Sequence, residues 1–216
     1  MPHADSAMIP AGLDKVAFWA HVHEQLRHLL AGQRDWVCTN LANASSLIYN
    51  SLYACPEFGS GERMVNWCGF YLHPTLFPAP RFSAPAAAPP APERLLLGPF
   101  CGKPACQLIH VAPGRARGVC ADAYVHRRTV LVPDVDAYPG HIACDGETKS
   151  EVVCPLLLRV PAAAGAEAEA EAEAEAGAER ALGVLDLDCL ALGGFDERDR
   201  DGLERIAQLV VDACDW

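Results

Sequence analysis

The sequence predicts an α+β fold in which helices at both ends of the chain flank a mostly antiparallel sheet of five or six strands. Two observations support this prediction. Apolar residues recur at helical spacing near both termini, and short aromatic or β-branched runs fill the middle of the chain. A length of 216 residues, which includes two low-complexity stretches, fits a single domain spanning 1–216.

Helices are predicted at the start, middle and end of the chain. Apolar side chains follow the helical period over Leu13–Leu30 and again over Asp35–Leu52. A shorter segment opened by glycine, 118–127, also has helical character. Near the C-terminus, Asp196 is a candidate N-cap, and Leu203 shares a face with Ile206, Ala207 and Val210. The terminal helices are expected to pack on one side of the sheet.

The strands are predicted from apolar runs that end at glycine, proline or polar residues. They are 64–72, 94–100 as its hairpin partner, 129–132, 152–160 and 180–192, with a further apolar stretch at 105–111. The segment 134–151 has no consistent period and is long for a connection, which is typical of a loop that carries function. Two inserts are expected, a Pro/Ala-rich loop at 78–92 and an Ala/Glu-rich low-complexity hairpin at 161–180.

Composition excludes several classes of protein. The net charge is −11 and the 17 Lys and Arg are scattered, which argues against a nucleic-acid partner because phosphate binding needs clustered positive charge. The apolar runs are far shorter than the roughly 20 residues that a membrane span requires. The N-terminus does not have the pattern of a secretory signal, so we expect a cytoplasmic protein with no membrane partner.

Ten cysteines raise the question of which thiols are reactive. Three lie in or beside irregular backbone, namely Cys106, Cys120 and Cys144. A helix N-terminus near Cys120, or a histidine such as His141 near Cys144, is expected to lower a thiol pKa. The residues predicted to be inert are Cys38, Cys154, Cys189 and Cys214, while Cys55, Cys68 and Cys101 remain undecided. Zinc binding by His141 and the three loop cysteines is disfavoured because no paired CxxC occurs, and no metal is expected.

Two strand faces carry candidate binding residues. Alternation places Asp186 and Asp188 on one face, where a ligand ammonium could offset their repulsion, although a solvated face with two harmless acids fits the pattern equally well. Trp67 and Tyr71 share a face with Gly69 between them. This spacing predicts either a gap that admits a small ligand or ordinary core packing.

Several segments together resemble one family, the free methionine-(R)-sulfoxide reductases of GAF-domain type. They are NWCGFYL (66–72), GPFCGKPACQ (98–107), GVC (118–120), VPDVDAYPGHIACDGETKSEVVCPL (132–156) and GVLDLDC (183–189). The resemblance covers the chain from the first helices to the last, with the two inserts as additions. It departs from the family pattern at 112–117, which looks longer than usual, and at Cys101, where the family often has glutamine.

The resemblance implies a role for each matching residue. Cys144 resembles the nucleophile, Cys106 the resolving thiol and Cys120 a second resolving or relay thiol, while Cys101 leaves the choice of resolving sulfur open. Glu151, Asp186 and Asp188 match the substrate-binding carboxylates, and Trp67 and Tyr71 match the aromatic pocket. The implied enzyme is a thiol-dependent oxidoreductase that binds no cofactor, forms a homodimer and is recycled by NADPH-linked thioredoxin.

Two alternatives stay open at this point. GAF domains widely serve as non-catalytic small-molecule sensors, since a fold does not fix a function. A sensor has no need for three loop thiols beside three carboxylates. Reduction of peptide-bound methionine sulfoxide is the second alternative, and the acids that would bind a free ammonium disfavour it.

Overall fold

The computed structural model describes residues 8–35, 37–55, 59–78, 93–142, 145–159 and 179–216. These ranges contain six strands and four α-helices. In chain order they are α1 (Lys15–Leu29), α2 (Val37–Tyr53), β1 (Val65–Leu72), β2 (Arg94–Gly102), β3 (Leu108–His110), α3 (Val119–His126), β4 (Val130–Val132), β5 (Ser150–Arg159), β6 (Glu179–Cys189) and α4 (Glu197–Ala213). The predicted helices and strands are thus all present, with ends shifted by a few residues.

The strands form one sheet in the order β3-β2-β1-β6-β5-β4, and every neighbouring pair is antiparallel. The predicted hairpin between β1 and β2 is confirmed. The two longest-paired strands, β5 and β6, run together from Ser150 opposite Cys189 to Arg159 opposite Glu179. This sheet, with helices at both ends of the chain, confirms the α+β prediction.

One face of the sheet is covered by α1, α2 and α4. Leu185, Leu187 and Cys189 of β6 point to this side, where they join Phe18 of α1 and Ile206 of α4 in the main core. Each of these side chains is at most 1% exposed. The expected packing of the terminal helices on one side of the sheet is therefore confirmed.

Polar contacts fix α4 against α1. The Asp196 side chain caps the N-terminus of α4, and the Asp199 side chain accepts a bond from the Asp196 backbone in return. Asp199 is buried, accepts a hydrogen bond of 2.9 Å from Trp19 Nε1 and pairs with Lys15. The predicted N-cap is confirmed, and its partner Asp199 also joins the two terminal helices.

The opposite face of the sheet is covered by α3 and by the loops that flank it. Val184 of β6 points to this side and packs with Tyr71, Val119 and Val153 in a second, smaller apolar cluster. The alternation predicted for β6 is confirmed, because Leu185 and Val184 belong to different cores. The candidate site lies beside this smaller cluster.

Two predicted boundaries were wrong. Glu151 lies inside β5, because its backbone pairs with Asp188 of β6, and does not belong to the long loop. Glu179 and Arg180 pair with β5 as the first residues of β6, so they are strand residues and not part of the Ala/Glu insert. The rest of the inserts, 79–92 and 161–178, lies outside the described residues, and the single domain over 1–216 stays a prediction. Among the described helices, none is long and apolar enough to cross a bilayer.

Candidate active site

A pocket lies between the α3 side of the sheet and the loop residues 103–107, 141–142 and 145–148. It is lined by seven of the eight side chains that the sequence assigned to the site, which are Trp67, Tyr71, Cys106, Cys120, Glu151, Asp186 and Asp188. The eighth, Cys144, lies outside the described residues. Five separate parts of the chain thus converge on one pocket.

Strand register brings the three carboxylates together. Asp188 is the cross-strand neighbour of Glu151 on one side and of Trp67 on the other, and Asp186 lies two residues further along the same face of β6. Glu151 is 6% exposed and Asp186 is 5% exposed. Asp188 is partly buried and lines the pocket, so the interpretation of this face as a solvated one was wrong.

The pKa values of Glu151, Asp186 and Asp188 are all raised. Burial raises the pKa of Asp186 to about 7. Burial is also the main reason why the pKa values of Glu151 and Asp188 lie well above the usual range, and repulsion from Asp186 adds to both. The cluster therefore retains protons near neutral pH and favours a positively charged ligand.

Cys120 extends this acidic cluster from the first turn of α3. Its Sγ lies 3.2 Å from Asp186 Oδ2 and 3.8 Å from Glu151 Oε1. The pKa of the thiol is raised well above its usual value, first by burial and then by the charges of Asp186 and Glu151. The expectation of a lowered pKa was wrong, because these two effects outweigh the attraction of one short helix for an anion.

The aromatic wall of the pocket is a stack of three rings. The Trp67 ring lies 5.8 Å from Tyr71 and 5.4 Å from Phe100, centroid to centroid. A Cβ added to Gly69 would lie 2.6 Å from Trp67 Cη2 and 2.3 Å from Phe100 Cβ. Gly69 therefore makes room for the rings themselves, and the predicted gap for a ligand between Trp67 and Tyr71 was wrong.

Two polar atoms of the side chains that line the pocket lack hydrogen-bond partners among the described residues. Trp67 Nε1 and Asp186 Oδ1 are both buried without a hydrogen bond. A buried polar group without a partner is costly, which points to a bound molecule or water at this place. Tyr71 differs, because its hydroxyl donates a 3.0 Å bond to the Cys106 carbonyl and so anchors the loop that carries this cysteine.

The cysteines fall into distinct environments. Cys106 is disulfide-bonded, whereas Cys38, Cys55, Cys68, Cys101, Cys120, Cys154, Cys189 and Cys214 are free thiols. Cys101 pairs across the strands with Cys68, which belongs to the main core, while its neighbour Phe100 stacks on Trp67 on the opposite side of the sheet. The Cys101 side chain therefore points away from the candidate site.

His141 closes the pocket beside Glu151. Its Nε2 atom lies 3.7 Å from Glu151 Oε2. Burial lowers the pKa of His141, while the charge of Asp136 opposes the shift, so the ring is mainly neutral at pH 7. A neutral imidazole can accept a proton or bind a metal, as well as donate a hydrogen bond.

The sequence reasoning missed a polar network at the rim. Asn66 Nδ2 lies 3.2 Å from Asp145 Oδ2 and 3.1 Å from Thr148 Oγ1. Lys103 lies 3.6 Å from the same carboxylate and also pairs with Glu147. These contacts connect β1 to the loops on either side of the pocket. Asp145 follows Cys144 directly, and this was the signal that could have indicated the network.

Two known proteins that are similar to this chain over most of its length carry the same description. The chain is 36% identical over 212 residues to a free methionine-R-sulfoxide reductase of Saccharomyces cerevisiae, covering 98% of this chain and 94% of the relative. A free methionine-R-sulfoxide reductase of Escherichia coli is 31% identical and covers 91% of this chain and 89% of its own. No family model matches the chain.

Solved structures support the same assignment. A structure described as a GAF domain superposes with a TM-score of 0.72 at 36% identity and covers 99% of this chain and 97% of its own. A free methionine-R-sulfoxide reductase from Neisseria meningitidis, solved in complex with its substrate, gives a TM-score of 0.68 at 31% identity over 97% of this chain and 95% of its own. The fold is thus a GAF domain, and the chain belongs to the free methionine-R-sulfoxide reductase family.

Proposed function

We propose that this protein reduces the R epimer of free methionine sulfoxide to methionine, with Cys144 as the attacking sulfur. The observation that carries the proposal is the pocket itself, in which three carboxyls of raised pKa lie beside an aromatic wall and two cysteines. Relatives at 31–36% identity bear this activity in their names.

The acids have a chemical role in this proposal. A sulfoxide sulfur becomes electrophilic when its oxygen is protonated, so a proton donor and a thiolate must meet at one place. Asp186, with a pKa of about 7, still carries a proton in a large fraction of molecules at neutral pH. It is therefore a suitable donor to the sulfoxide oxygen.

The remaining carboxylates select the free amino acid. An ammonium group beside Glu151 and Asp188 stabilises their ionised forms, because its positive charge offsets the burial and the repulsion that raise both pKa values. A methionine sulfoxide within a peptide chain has no such charge. We therefore expect the enzyme to discriminate against N-acylated substrate.

The proposed cycle oxidises Cys144 in its first step and reduces a disulfide in its last. The Cys144 thiolate attacks the sulfoxide sulfur, the oxygen passes to Cys144 as a sulfenic acid, and methionine leaves. The Cys106 thiol then attacks the sulfenic sulfur, which forms a disulfide and releases water. A thioredoxin dithiol reduces this disulfide and is itself oxidised, and NADPH is the ultimate electron source.

The environments of the other cysteines support this division of roles. Cys106 is disulfide-bonded beside the pocket, which is consistent with a resolving thiol. Cys120 is close enough to the acids to act as a relay, yet its raised pKa makes it a poor nucleophile until another group accepts its proton. Cys101 points toward the main core, which disfavours it as the resolving sulfur.

The test is consumption of the separated R and S epimers of free methionine sulfoxide, followed with thioredoxin, its reductase and NADPH. We expect turnover of the R epimer alone, lost in Cys144→Ser and retained in Cys38→Ser, which changes an exposed thiol on α2. Substantial activity in Cys144→Ser would remove this residue from its role.

The sensor alternative predicts a different outcome from the same protein. A sensor binds the amino acid without consuming it, with either thioredoxin or dithiothreitol as reductant. The peptide-reductase alternative predicts equal rates with free and N-acetylated methionine sulfoxide. Turnover of the free substrate alone contradicts both.

A further inference from the structure

We propose that Cys120, Glu151 and Asp186 form a binding site for a soft divalent cation such as Zn²⁺, and that this cation and the substrate ammonium exclude each other. The cation is a competitor from outside and not a resident cofactor. The inference rests on the proposed function only for the identity of the competing ligand.

The spacing of the three ligand atoms suits a tetrahedral metal. Zinc bonds of about 2.0–2.3 Å to oxygen and sulfur place neighbouring ligand atoms roughly 3.3–3.8 Å apart around a tetrahedron. Cys120 Sγ lies 3.2 Å from Asp186 Oδ2 and 3.8 Å from Glu151 Oε1. All three ligand atoms lie within 4.8 Å of one another. The Glu151 and Asp186 oxygens, which are at most 4.8 Å apart, would move closer together to complete the geometry.

The donor set also has the right chemistry. One thiolate with two carboxylates favours zinc or cadmium over magnesium or calcium, which prefer oxygen ligands alone. His141 offers a fourth ligand, because its Nε2 atom lies 3.7 Å from Glu151 Oε2 on the rim of the same pocket. Binding replaces the thiol proton of Cys120 and involves no change of oxidation state.

An independent observation points to a ligand at this place. Asp186 is 5% exposed, lines the pocket, and its Oδ1 atom has no hydrogen-bond partner among the described residues. Two basic groups that line the pocket lie beside other acids, Lys103 beside Asp145 and the neutral His141 beside Glu151, and among the described residues no ion pair includes Asp186. A positive ion bound to this carboxylate, through Oδ2 or through both oxygens, would offset the cost of burying the acid.

Cadmium binding to the oxidised enzyme is the direct test, because a closed disulfide removes Cys106 from competition and leaves Cys120 as a thiol. We expect one Cd²⁺ per chain, with a thiolate-to-cadmium charge-transfer absorption in the ultraviolet. The Cys120→Ser variant should lose this absorption and bind Zn²⁺ in calorimetry at least about tenfold more weakly. Asp186→Asn should weaken binding similarly, whereas Cys38→Ser should match the wild type.

Two results would overturn the site. One is an absorption that persists in Cys120→Ser, and the other is an absorption that disappears in Cys38→Ser, since either places the metal on another thiol. Far-ultraviolet circular dichroism establishes that each variant is folded before it is titrated.

Competition separates this proposal from the proposed function. The oxidised enzyme cannot turn over, so free methionine sulfoxide can be added at saturation, and we expect it to raise the apparent Kd for Zn²⁺. An unchanged Kd overturns mutual exclusion. Reductase activity is measured separately in metal-free buffer, so failure of the metal site leaves the activity standing, and failure of the activity leaves the cadmium result standing.

Discussion

Burial of Asp186 supports the proposed chemistry of the site but lowers the stability of the folded protein. It is buried beside two further acids, and the pKa of about 7 means that the folded protein holds a proton that the unfolded chain has lost above about pH 4. Stability therefore falls as the pH rises from about 4 to about 7, because the folded state binds more protons over that window. The buried acid therefore lowers the free energy of unfolding at neutral pH.

Asp186→Asn tests this directly. Removing the ionisable group should make the protein more stable than the wild type at pH 8 by about 1–4 kcal/mol, with little difference at pH 4. The measurement is urea unfolding from pH 4 to 8. As a control, Asp136→Asn changes an exposed acid paired with Lys149 and should not follow this pH dependence. Equal stability of Asp186→Asn and wild type at pH 8 would contradict the raised pKa.

Sequence reasoning grouped the described pocket residues better than it predicted their environments. The residues around Cys144 and Asp186 were assigned to one site because their order along the chain resembles a family. The pKa of Cys120 was predicted in the wrong direction, because its position at the start of α3 is visible in the sequence while its distance to Asp186 is not. Asn66 was missed because its partner is 79 positions away in the chain.

At the scale of elements, alternation along strands was a reliable guide. The split of β6 into an apolar face and an acidic face followed from period two alone, and it was confirmed. Alternation could not predict whether the acidic face is exposed to solvent, because its exposure depends on α3 and on two loops elsewhere in the chain. The spacing of Trp67 and Tyr71 had the same limit, since Phe100 of β2 completes their stack.

The approach of α1 to α4 depends on Gly202. A Cβ at this position would lie 2.2 Å from Trp19 Cγ and 2.5 Å from Trp19 Cβ. Alanine favours a helix over glycine by about 1 kcal/mol, but overpacking costs about 1–3 kcal/mol, and the shift of Trp19 would also strain its bond to Asp199. We therefore expect Gly202→Ala to destabilise the protein by about 1–2 kcal/mol in urea unfolding.

A matched control for this helix is Arg205→Ala, which changes an exposed residue of α4. Its stability should stay within about 0.5 kcal/mol of the wild type. A Gly202→Ala protein that is as stable as Arg205→Ala would show that α1 can move away without cost, contrary to the close contact of the two helices.

For the whole molecule, the order of helices and strands was predictable because each one has its own period and its own end residues. The pocket was not predictable in the same way, since it needs β1, β5 and β6 to be neighbours, and that pairing order skips along the chain. The family resemblance supplied this long-range information. The metal-ligand spacing of Cys120, Glu151 and Asp186 has no counterpart in the sequence, because it arises only when α3 packs on the sheet.

The Ala/Glu insert is predicted to be dispensable for both fold and activity. Arg159 and Glu179 are cross-strand partners at the ends of β5 and β6, so a two-residue Asn-Gly turn can join them in place of residues 160–178. Each halving of loop length lowers the entropic cost of closing the loop by about 0.6 kcal/mol. Shortening the connection from 19 residues to two is a little over three halvings, so the protein should gain about 2 kcal/mol of stability. Removing its five glutamates also takes the net charge from −11 to −6, which lessens self-repulsion at low salt.

We expect a higher urea midpoint and an unchanged kcat/KM for free methionine (R)-sulfoxide. The insert joins β5 to β6 at Arg159 and Glu179, which is the end of the strand pair remote from Glu151 and Asp188. A folded variant with reduced kcat/KM would contradict this expectation and would mean that the insert contributes to the active site.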